Sequence, residues 1–352
     1  MDSQEMENTC KHAPVAVIIL NWNGRKLLET FLPSVVENSD PEVSDIIVAD
    51  NGSDDDSVAF LEANFPGVSV WKFDRNYGFA EGYNKAVGLA EGYRFVVLLN
   101  SDVAVAPKWD SILYRYMLAN PDVAAVQPKI LSYNEPANFE YAGAAGGFID
   151  RNGYPYCRGR LFGVCEADSG QYDYNMDVFW ATGACMMIVR DVYIKAGGLD
   201  ASFFAHMEEI DLCWRIHLLG YRIVAVPESR IFHLGGGSLP AENPRKTYLN
   251  FRNNLLMLHK NLPRKEGRRF LFKRRLLDTL AWGKYMLTFD FGNANAILKA
   301  HRDFKRMRKN YSDQPDHNIL PDIAGGKVNL LTEYYLKGVR KWSGLTNGSQ
   351  NN

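Results

Sequence analysis

A short polar turn, Asn100-Ser101-Asp102, directly follows an apolar run that ends at Leu99. A carboxylate at the end of a buried strand can hold a hard divalent cation at the carboxyl edge of an open α/β sheet, where phosphorylated ligands bind. Aspartate is also a common turn residue, because its side chain hydrogen-bonds to nearby backbone groups. The turn alone therefore leaves a metal ligand and a simple turn as alternatives of equal weight.

A second group of acids, Glu208, Glu209 and Asp211, begins a helix predicted to end at Gly220. Three acids in a first turn also complement the positive end of the helix dipole, and Asp211 can pair with Arg215 four residues later. The two glutamates have no such partner in the sequence. Beside neighbouring phenylalanines, one of them would have a raised pKa, as a general base requires. Capping and catalysis both remain open.

His233 follows the apolar pair Ile231-Phe232 and precedes a run of glycines. A lone histidine is more often a hydrogen-bonded structural residue than a ligand. Its predicted position at a strand end would nevertheless let it reach a metal that Asp102 also holds.

Four runs rich in apolar and β-branched residues predict buried parallel strands. They are residues 15–20, 45–50, 68–73 and 93–100, with helix-compatible segments at 25–38, 57–64 and 80–91. A further strand is predicted at 177–189, after a glycine- and tyrosine-rich region at 132–175 that we expect to be a functional loop or hairpin. Strand and helix alternate as in a doubly wound α/β sheet.

Polar residues follow each of the first four predicted strands, namely Asn21, Asp50, Asn76 and Asp102. Parallel strands bring their carboxyl ends to one edge, so this pattern indicates a nucleotide-type ligand, with ordinary turn chemistry as the alternative. The chain has no GxxxxGK[ST] loop, no GxGxxG after Leu20, no HExxH and no GxSxG. Kinase, dehydrogenase, zinc-protease and serine-hydrolase interpretations therefore lose their main support.

The charge of the chain is unevenly distributed. The 352 residues carry a formal net charge of −1, but residues 260–309 contain fifteen Lys and Arg against four Asp and Glu. Within residues 264–275 the cations alternate with Phe and Leu, a pattern suited to an anionic membrane surface. A packed helix with a solvated basic face is the alternative, and no motif indicates nucleic-acid binding.

Targeting and cysteine signals are weak. The sequence has no apolar stretch of the length that a membrane span needs, and residues 1–12 are polar and acidic rather than a signal peptide. The five cysteines show neither CxxC nor zinc-finger spacing. We therefore expect reduced thiols and a cytoplasmic protein, either free or peripheral on the inner face of the cell membrane.

Five motifs in order resemble glycosyltransferase family 2, especially its rhamnosyltransferase-like bacterial members. The motifs are IILNWNG at 18–24, VADNGS at 48–53, NYGFAEGYN at 76–84, LLNSD at 98–102 and EEIDL at 208–212. The resemblance covers about residues 15–260. It implies a GT-A fold, a Rossmann-like mixed α/β sheet flanked by helices, here with a basic helical C-terminal extension. The expected divisions are a disordered 1–12, a GT-A domain at 13–260, a helical basic region at 261–342 and a disordered tail at 343–352.

The resemblance also implies a role for each matching position. The nucleotide pocket would contain Asn21, Asp50, Asn51, Asn76, Gly78, Asn84, Asn100 and Asp102, with Asp50 on the base. Asp102 is the last acid of the DxD metal element, whose first position is Asn100 here, and His233 would complete the coordination of Mg²⁺ or Mn²⁺. Glu209 stands where the family has its catalytic base, with Glu208 and Asp211 as supporting or acceptor-site acids.

Other positions belong to the acceptor and diphosphate sides. Trp180 and Gly183 match an aromatic and a small residue lining the acceptor side, and Arg252 is either a diphosphate contact or a salt-bridge residue. The implied activity is inverting, metal-dependent transfer of a sugar from a UDP- or dTDP-sugar to a hydroxyl, on a glycan or lipid-linked acceptor of cell-surface polysaccharide synthesis. A sugar-phosphate nucleotidyltransferase and a catalytically silent nucleotide-sugar binding subunit are the alternatives. The sugar, the linkage and the oligomeric state stay open.

Overall fold

The computed structural model of the protein describes residues 12–235 and 243–345. The predicted disorder of residues 1–12 and 343–352 therefore falls almost wholly outside the described residues, as does Cys10. Residues 343–345 are described, and Leu345 is buried.

Strands and helices alternate along the first third of the described chain. The strands are β1 (Val15–Asn21), β2 (Ser44–Asp50), β3 (Ser69–Lys72), β4 (Phe95–Leu99), β5 (Val103–Val105), β6 (Val123–Ser132), β7 (Gly147–Ile149), β8 (Pro155–Cys157), β9 (Arg160–Leu161), β10 (Val164–Cys165), β11 (Met176–Asp177), β12 (Cys185–Val189) and β13 (Arg222–His233). The helices are α1 (Arg25–Asn38), α2 (Ser57–Asn64), α3 (Gly78–Leu89), α4 (Trp109–Ala119), α5 (Arg190–Lys195), α6 (Glu208–Leu218), α7 (Pro244–Asn261), α8 (Arg264–Leu287) and α9 (Phe291–Met307).

The central sheet of the described residues is mixed and has nine strands, in the order β11-β13-β6-β12-β4-β1-β2-β3, with β5 beside β13. Strands β4, β1, β2 and β3 are parallel, and Ile18 pairs with both Ile47 and Leu98. β12 runs antiparallel between β4 and β6. The predicted mixed α/β sheet of the GT-A type is confirmed, and the carboxyl ends of β1, β2 and β4 meet at one edge.

Both faces of this sheet are covered. Along β1, Val15, Val17 and Ile19 pack on the layer that includes Trp109, while Ala16 and Ile18 pack on the layer that includes Tyr83. A parallel strand buried on both faces needs apolar residues at every position, which explains the continuous VAVIIL run.

Two sequence expectations change in the middle of the chain. The strand predicted at 177–189 is two strands, β11 and β12, because residues 178–184 leave the sheet and Trp180 bridges to Gly147 of β7. The region expected as a loop at 132–175 contains a small four-stranded antiparallel sheet, β7 to β10.

Helices α7, α8 and α9 pack on one another, and the chain beyond them returns to the small sheet. The ring of Trp342 lies 5.8 Å from that of Phe148, and the backbone N–H of Leu330 donates to Asp150 at 3.1 Å. The division at residue 260 stays a prediction, since α7 begins at Pro244 and packs on α9. In the described part of the chain, every helix is too short or too polar to cross a bilayer.

Candidate active site

The ends of β1 and β2 are joined through Asp50. Asn21 Nδ2 donates to Asp50 Oδ1 at 3.0 Å, and the Ser53 backbone N–H and hydroxyl donate to the same carboxylate at 3.0 and 2.6 Å. Asp50 and Asn21 are buried. These bonds fix the carboxylate at the carboxyl edge of the sheet. Ser53, which lies in the VADNGS motif, was not singled out from the sequence because serine is ordinary in a turn.

Asn51 and Asn76 shape the loop that leads into α3. Asn51 Nδ2 donates to Asn76 Oδ1 and to the Gly78 carbonyl, both at 3.1 Å, and Asn51 Oδ1 accepts from the Tyr77 N–H at 3.0 Å. Gly78 has φ of +76°, which glycine adopts without the strain of a side chain. The predicted residues therefore meet at the ends of β2 and β3.

Asn84 has a different environment from the one predicted. Its Oδ1 accepts from the Tyr193 hydroxyl at 2.6 Å and the Leu199 N–H at 2.9 Å, and its Nδ2 donates to the Leu199 carbonyl at 2.8 Å. All of these partners belong to the protein's second half. Asn84 therefore ties α3 to the segment before the acidic loop, which corrects its assignment to the nucleotide pocket.

Asp102 and His233 come together where β4 and β13 end. His233 Nε2 lies 3.1 Å from Asp102 Oδ1, and His233 Nδ1 lies 3.3 Å from Glu140 Oε2. Burial lowers the pKa of His233, but the two carboxylates outweigh it and raise that pKa to about 10. Glu140 was missed because the region at 132–175 gave no sign of which acid would face the sheet edge.

These residues fit a divalent cation that a diphosphate also binds. Asp102 offers an oxygen, and His233 would offer a nitrogen once a bound cation displaces its Nε2 proton. The position of Glu140 near the second imidazole nitrogen matches the carboxylate–histidine arrangement that orients metal ligands. Among residues 12–235 and 243–345, no group of three or more His, Cys, Asp or Glu side chains could hold a metal by itself. Two protein ligands suffice where substrate phosphates and water supply the others. The backbone of Asn100 holds the start of the Asp102 turn in place, because its N–H donates to the Ala184 carbonyl at 3.0 Å.

Glu208 and Glu209 begin α6, as predicted. Burial raises the pKa of Glu209 to about 7, and burial together with the adjacent Glu209 carboxylate raises that of Glu208 well above its usual range. The Oε2 atoms of both are buried and have no hydrogen-bond partner among the described residues. An acid that exchanges its proton near neutral pH is suited to general-base chemistry.

Gly183 connects this acid pair to the Asp102 turn. A Cβ placed on Gly183 would lie 3.9 Å from the Glu209 Cβ and 3.4 Å from the Phe79 ring. The next residue, Ala184, accepts the Asn100 N–H. Gly183 thus leaves space beside Glu209, and its neighbour Ala184 is bonded to the turn that contains Asp102.

A strained loop presents the acids. Phe204, His206 and Met207 all have positive φ, between 68° and 74°, a conformation that costs free energy unless the surroundings enforce it. Arg252 donates to the carbonyls of Ser202 and Phe203 at 3.1 and 2.7 Å. Asn253 Nδ2 donates to the carbonyls of Phe203, Ala205 and His206 at 2.7–2.9 Å.

These bonds correct the two roles that the sequence offered for Arg252. The side chain is buried and holds backbone carbonyls, so it is neither a surface salt bridge nor a free diphosphate contact. Asn253 was missed, since an asparagine inside a helix carries no chemical signal of its own.

Asp211 is a structural residue. It is fully buried, its Oδ2 accepts from Arg215 and from Lys260 at 2.8–3.0 Å, and its Oδ1 accepts from Asn261 at 2.7 Å. The predicted pair with Arg215 is present. Both oxygens accept bonds from protein groups, which favours a structural role over the predicted supporting catalytic role.

Trp180 is also a packing residue. Its side chain is 4 % exposed, its Nε1 donates to the Phe148 carbonyl at 2.9 Å, and a Cβ on Gly147 would collide with its ring. Its burial therefore does not support the predicted place on the acceptor side.

A groove of about 620 Å³ opens beside the acidic loop. Its walls come from Phe204 and from α7 and α9, and its charged lining residues are Arg245, Arg252 and Lys299. Among residues 12–235 and 243–345, no carboxylate lines it. Arg245 and Lys299 are exposed, and their cationic groups lie 5.0 and 4.9 Å from the Phe204 and Tyr248 ring centres. The groove is suited to an anionic ligand.

Comparison with known proteins gives the family of the chain and several relatives. Residues 16–193 match the sequence model of a family described as Glycosyl transferase family 2. The N-acetylglucosaminyl-diphospho-decaprenol L-rhamnosyltransferase of Mycobacterium tuberculosis is 26% identical over 241 residues, which cover 62% of this chain and 75% of that protein. The O-antigen biosynthesis protein RfbC of Myxococcus xanthus is 25% identical over 65% of this chain. The chain spans 18% of the length of RfbC and 26% of that of another relative, y4gI of Sinorhizobium fredii.

Solved structures show the same fold. GalNAc-T7 with UDP, GalNAc and Mn²⁺ superposes with a TM-score of 0.55 at 15% identity, over 73% of this chain and 50% of that one. The mannosyltransferase PcManGT of Pyrobaculum calidifontis, with GDP-Man and Mn²⁺, superposes with a TM-score of 0.50 at 17% identity, over 86% and 88% of the two chains.

Proposed function

Because the chain belongs to glycosyl transferase family 2, we propose that it transfers a sugar from a nucleoside-diphosphate donor to a hydroxyl group of a glycan. The observation that carries this proposal is the position of Gly183, which leaves space beside Glu209. The next residue, Ala184, accepts a hydrogen bond from Asn100 in the turn that contains Asp102. This position supports a base on one side of a small residue and a site for diphosphate charge on the other.

The donor would lie along the carboxyl edge of the sheet. Asp50, fixed by Asn21 and Ser53, would face the nucleotide base, and the loop shaped by Asn51 and Asn76 would border it. Ligands bind at this edge in open α/β sheets. We propose a UDP- or dTDP-sugar as the donor.

Asp102 and His233 would hold Mg²⁺ or Mn²⁺ together with the donor diphosphate. Such an ion supplies Lewis-acid stabilisation of the negative charge that develops on the leaving diphosphate. Both structural neighbours described above were solved with Mn²⁺, which supports a divalent ion here without choosing between the two metals.

Glu209 would act as the general base in a single inverting displacement. Its carboxylate takes the proton of the acceptor hydroxyl while that oxygen forms a bond to the anomeric carbon. The bond from this carbon to the diphosphate oxygen breaks, and the nucleoside diphosphate leaves with the electron pair. Burial and the neighbouring Glu209 carboxylate raise the pKa of Glu208, which favours a single negative charge on the pair.

The groove between the acidic loop and α7 would receive the acceptor. The exposed cations of its lining, Arg245 and Lys299, favour a phosphate-bearing acceptor. The mycobacterial relative is named for an acceptor whose sugar is joined to a polyprenol through a diphosphate. We therefore propose a lipid-linked glycan as acceptor, met at the inner face of the cell membrane during cell-surface polysaccharide synthesis.

Product analysis tests the reaction and separates the alternatives. The protein is incubated with Mn²⁺, a panel of UDP- and dTDP-sugars and N-acetylglucosaminyl-diphospho-polyprenol, and released nucleotide is measured. Transfer predicts release of a nucleoside diphosphate and a longer lipid-linked glycan, both lost in Glu209→Gln. Release of pyrophosphate from a nucleoside triphosphate and a sugar phosphate would instead indicate a nucleotidyltransferase. Donor binding without turnover for any acceptor would indicate a silent subunit.

A further inference from the structure

Helix α8 presents a row of large apolar side chains to solvent. Phe272 is 67 % exposed, Leu276 56 %, Leu280 72 % and Leu287 82 %. At about 100° per residue these four lie within an arc of about 80° on the helix surface. Large apolar patches of this kind mark interaction sites rather than ordinary surface.

The opposite side of α8 is the one that packs on the protein. Gly267, Arg274 and Asp278 are the buried residues of the helix, and they lie about 180° from the centre of the apolar row. Arg274 donates to Asp278 at 3.2 Å, and Asp278 also faces His301 of α9 at 3.0 Å. The orientation of α8 is thus fixed by buried polar contacts, and the apolar row points outward.

Cations border the apolar row on both sides. By the same rotation, Arg268 and Arg275 flank one side of the row and Lys273 and Lys284 the other. All four are exposed, as are Arg264, Lys265 and Arg269 in the first two turns.

Neither carboxylate of α8 is fully exposed. Asp278 is buried, and Glu266 accepts from Asn318 Nδ2 at 2.7 Å and is only partly exposed. No described side chain of α8 therefore places an exposed negative charge among the seven exposed cations. We call the surface formed by Phe272, Leu276, Leu280 and Leu287 with its bordering cations the outer face of α8.

We infer that the outer face of α8 docks on an anionic lipid bilayer. An apolar strip flanked by Lys and Arg is the arrangement of a helix that lies in the membrane interface, with its apolar side chains among the acyl chains and its cations at the headgroups. A protein partner would need a complementary apolar and acidic surface, whereas an anionic bilayer supplies both properties at once.

The apolar surface continues to the groove proposed for the acceptor. Phe289, 79 % exposed, lies between α8 and α9, Phe291, 57 % exposed, begins α9, and the next residue, Gly292, lines the groove. A bilayer against the outer face would bring lipid headgroups to the groove entrance. This last step rests on the proposed function, whereas docking itself requires neither donor nor acceptor.

Vesicle co-sedimentation of the full chain tests the docking. We expect binding to vesicles that contain phosphatidylglycerol, weak binding to phosphatidylcholine alone, and release at high salt, because salt screens the exposed cations. The triple variant Phe272→Ser, Leu276→Ser, Leu280→Ser should bind the anionic vesicles about tenfold less. A matched control, Leu89→Ser, Leu118→Ser, Ile194→Ser, removes exposed apolar side chains of α3, α4 and α5 and should bind as the unaltered protein does.

The charges are tested in the same way. Vesicle binding should be weakened in the triple variant Arg268→Ser, Lys273→Ser, Arg275→Ser. It should be unchanged in a matched control that removes three exposed cations elsewhere, Lys26→Ser, Arg115→Ser, Lys195→Ser. Far-UV circular dichroism and nucleoside-diphosphate binding establish that every variant is folded. Because sedimentation needs no sugar transfer, failure of the proposed activity leaves this result interpretable.

Three outcomes would overturn the inference. One is no binding of the unaltered chain to anionic vesicles. Another is equal binding by the outer-face variants and their controls. The third is a stable dimer of the unaltered chain that is absent in the Phe272→Ser, Leu276→Ser, Leu280→Ser variant, both measured by analytical ultracentrifugation. A second copy of the chain would then cover the face.

Discussion

His233 Nε2 lies 3.1 Å from Asp102 Oδ1, although 131 positions separate the two residues in the sequence. Strand pairing produces this contact, because β13 pairs with β5 in a register that sets His233 opposite Val103, the residue after Asp102. The two side chains are therefore held by the sheet itself rather than by a mobile loop.

Removing one side chain of this pair should abolish metal-supported binding of the diphosphate. We expect Asp102→Asn and His233→Ala to lose Mn²⁺-dependent binding of the donor nucleotide, while Asp102→Asn remains folded. Glu140→Gln keeps both ligands but alters the partner of the imidazole, so metal affinity should fall by about 10–100-fold. Calorimetric titration of Mn²⁺ with the nucleoside diphosphate measures this. Unchanged Mn²⁺ affinity in Asp102→Asn would contradict the site.

Replacing Glu209 should remove turnover and spare donor binding. Glu209→Gln keeps the size of the side chain but cannot accept a proton, so the transfer rate should fall by about 10²–10⁴-fold. Glu208→Gln is the matched control, and because Glu208 is not the proposed base, its loss of transfer rate should be smaller. Equal losses in the two variants would argue against a distinct base.

The transfer rate should rise with pH around neutrality. Burial raises the pKa of Glu209 to about 7, and the base must be ionised to accept a proton. Between pH 6 and pH 8 the ionised fraction, and hence the rate at saturating substrate, should grow about tenfold. A rate that is already constant from pH 5 upward would show an ordinary carboxylate. Measurement over this range at fixed ionic strength decides between the two.

Glu209 should also make folding stability depend on pH. Its pKa in the folded protein lies above the model value of 4.5, so the folded state binds more protons than the unfolded state between these values. Its stabilising contribution is complete below about pH 4.5 and is lost as the pH rises through about 7. Glu209→Gln removes this loss and should be more stable than the unaltered protein at pH 8, by on the order of 2 kcal/mol. Urea unfolding at pH 5.5 and pH 8 measures the difference, which should be smaller at pH 5.5.

Asp211 should behave in the opposite way. Its carboxylate is buried and bonded to Arg215, Lys260 and Asn261, and breaking a buried ion pair by changing one partner costs about 3–5 kcal/mol. Asp211→Asn should therefore lower the free energy of unfolding at pH 7, whereas Glu209→Gln should not. A fully stable but inactive Asp211→Asn would return this residue to the catalytic group.

The sequence predicted the parallel half of the fold well and the second half less well. Continuous apolar runs such as residues 15–20 identify strands buried on both faces, and the polar residues after them identify the functional edge. Residues 178–184 are equally apolar but leave the sheet, because Trp180 packs on Gly147 rather than on a neighbouring strand. The apolar composition of a segment indicates that it is buried, but it does not show which element the segment packs on.

The same limit applies to the candidate site. The carboxylates Asp102 and Glu209 were identified from their types and positions at element ends. The sequence separated Asp211 from Glu209 by the Arg215 pair, but it could not show the bonds of Asp211 to Lys260 and Asn261, about fifty residues away. Likewise the positions of Arg252, Asn253 and Glu140 depend on tertiary contacts that no local pattern reports.

The measurement that tests the central claim most directly is thermal stability with UDP, dTDP, GDP and CMP, each with and without Mn²⁺, for the unaltered protein, Asp102→Asn and Glu209→Gln. A ligand that binds only the folded state raises the melting temperature by mass action. We predict a rise for one nucleoside diphosphate that requires Mn²⁺, persists in Glu209→Gln and disappears in Asp102→Asn. No rise with any nucleotide, or one that Asp102→Asn retains without metal, would contradict a metal-supported donor site at this edge of the sheet.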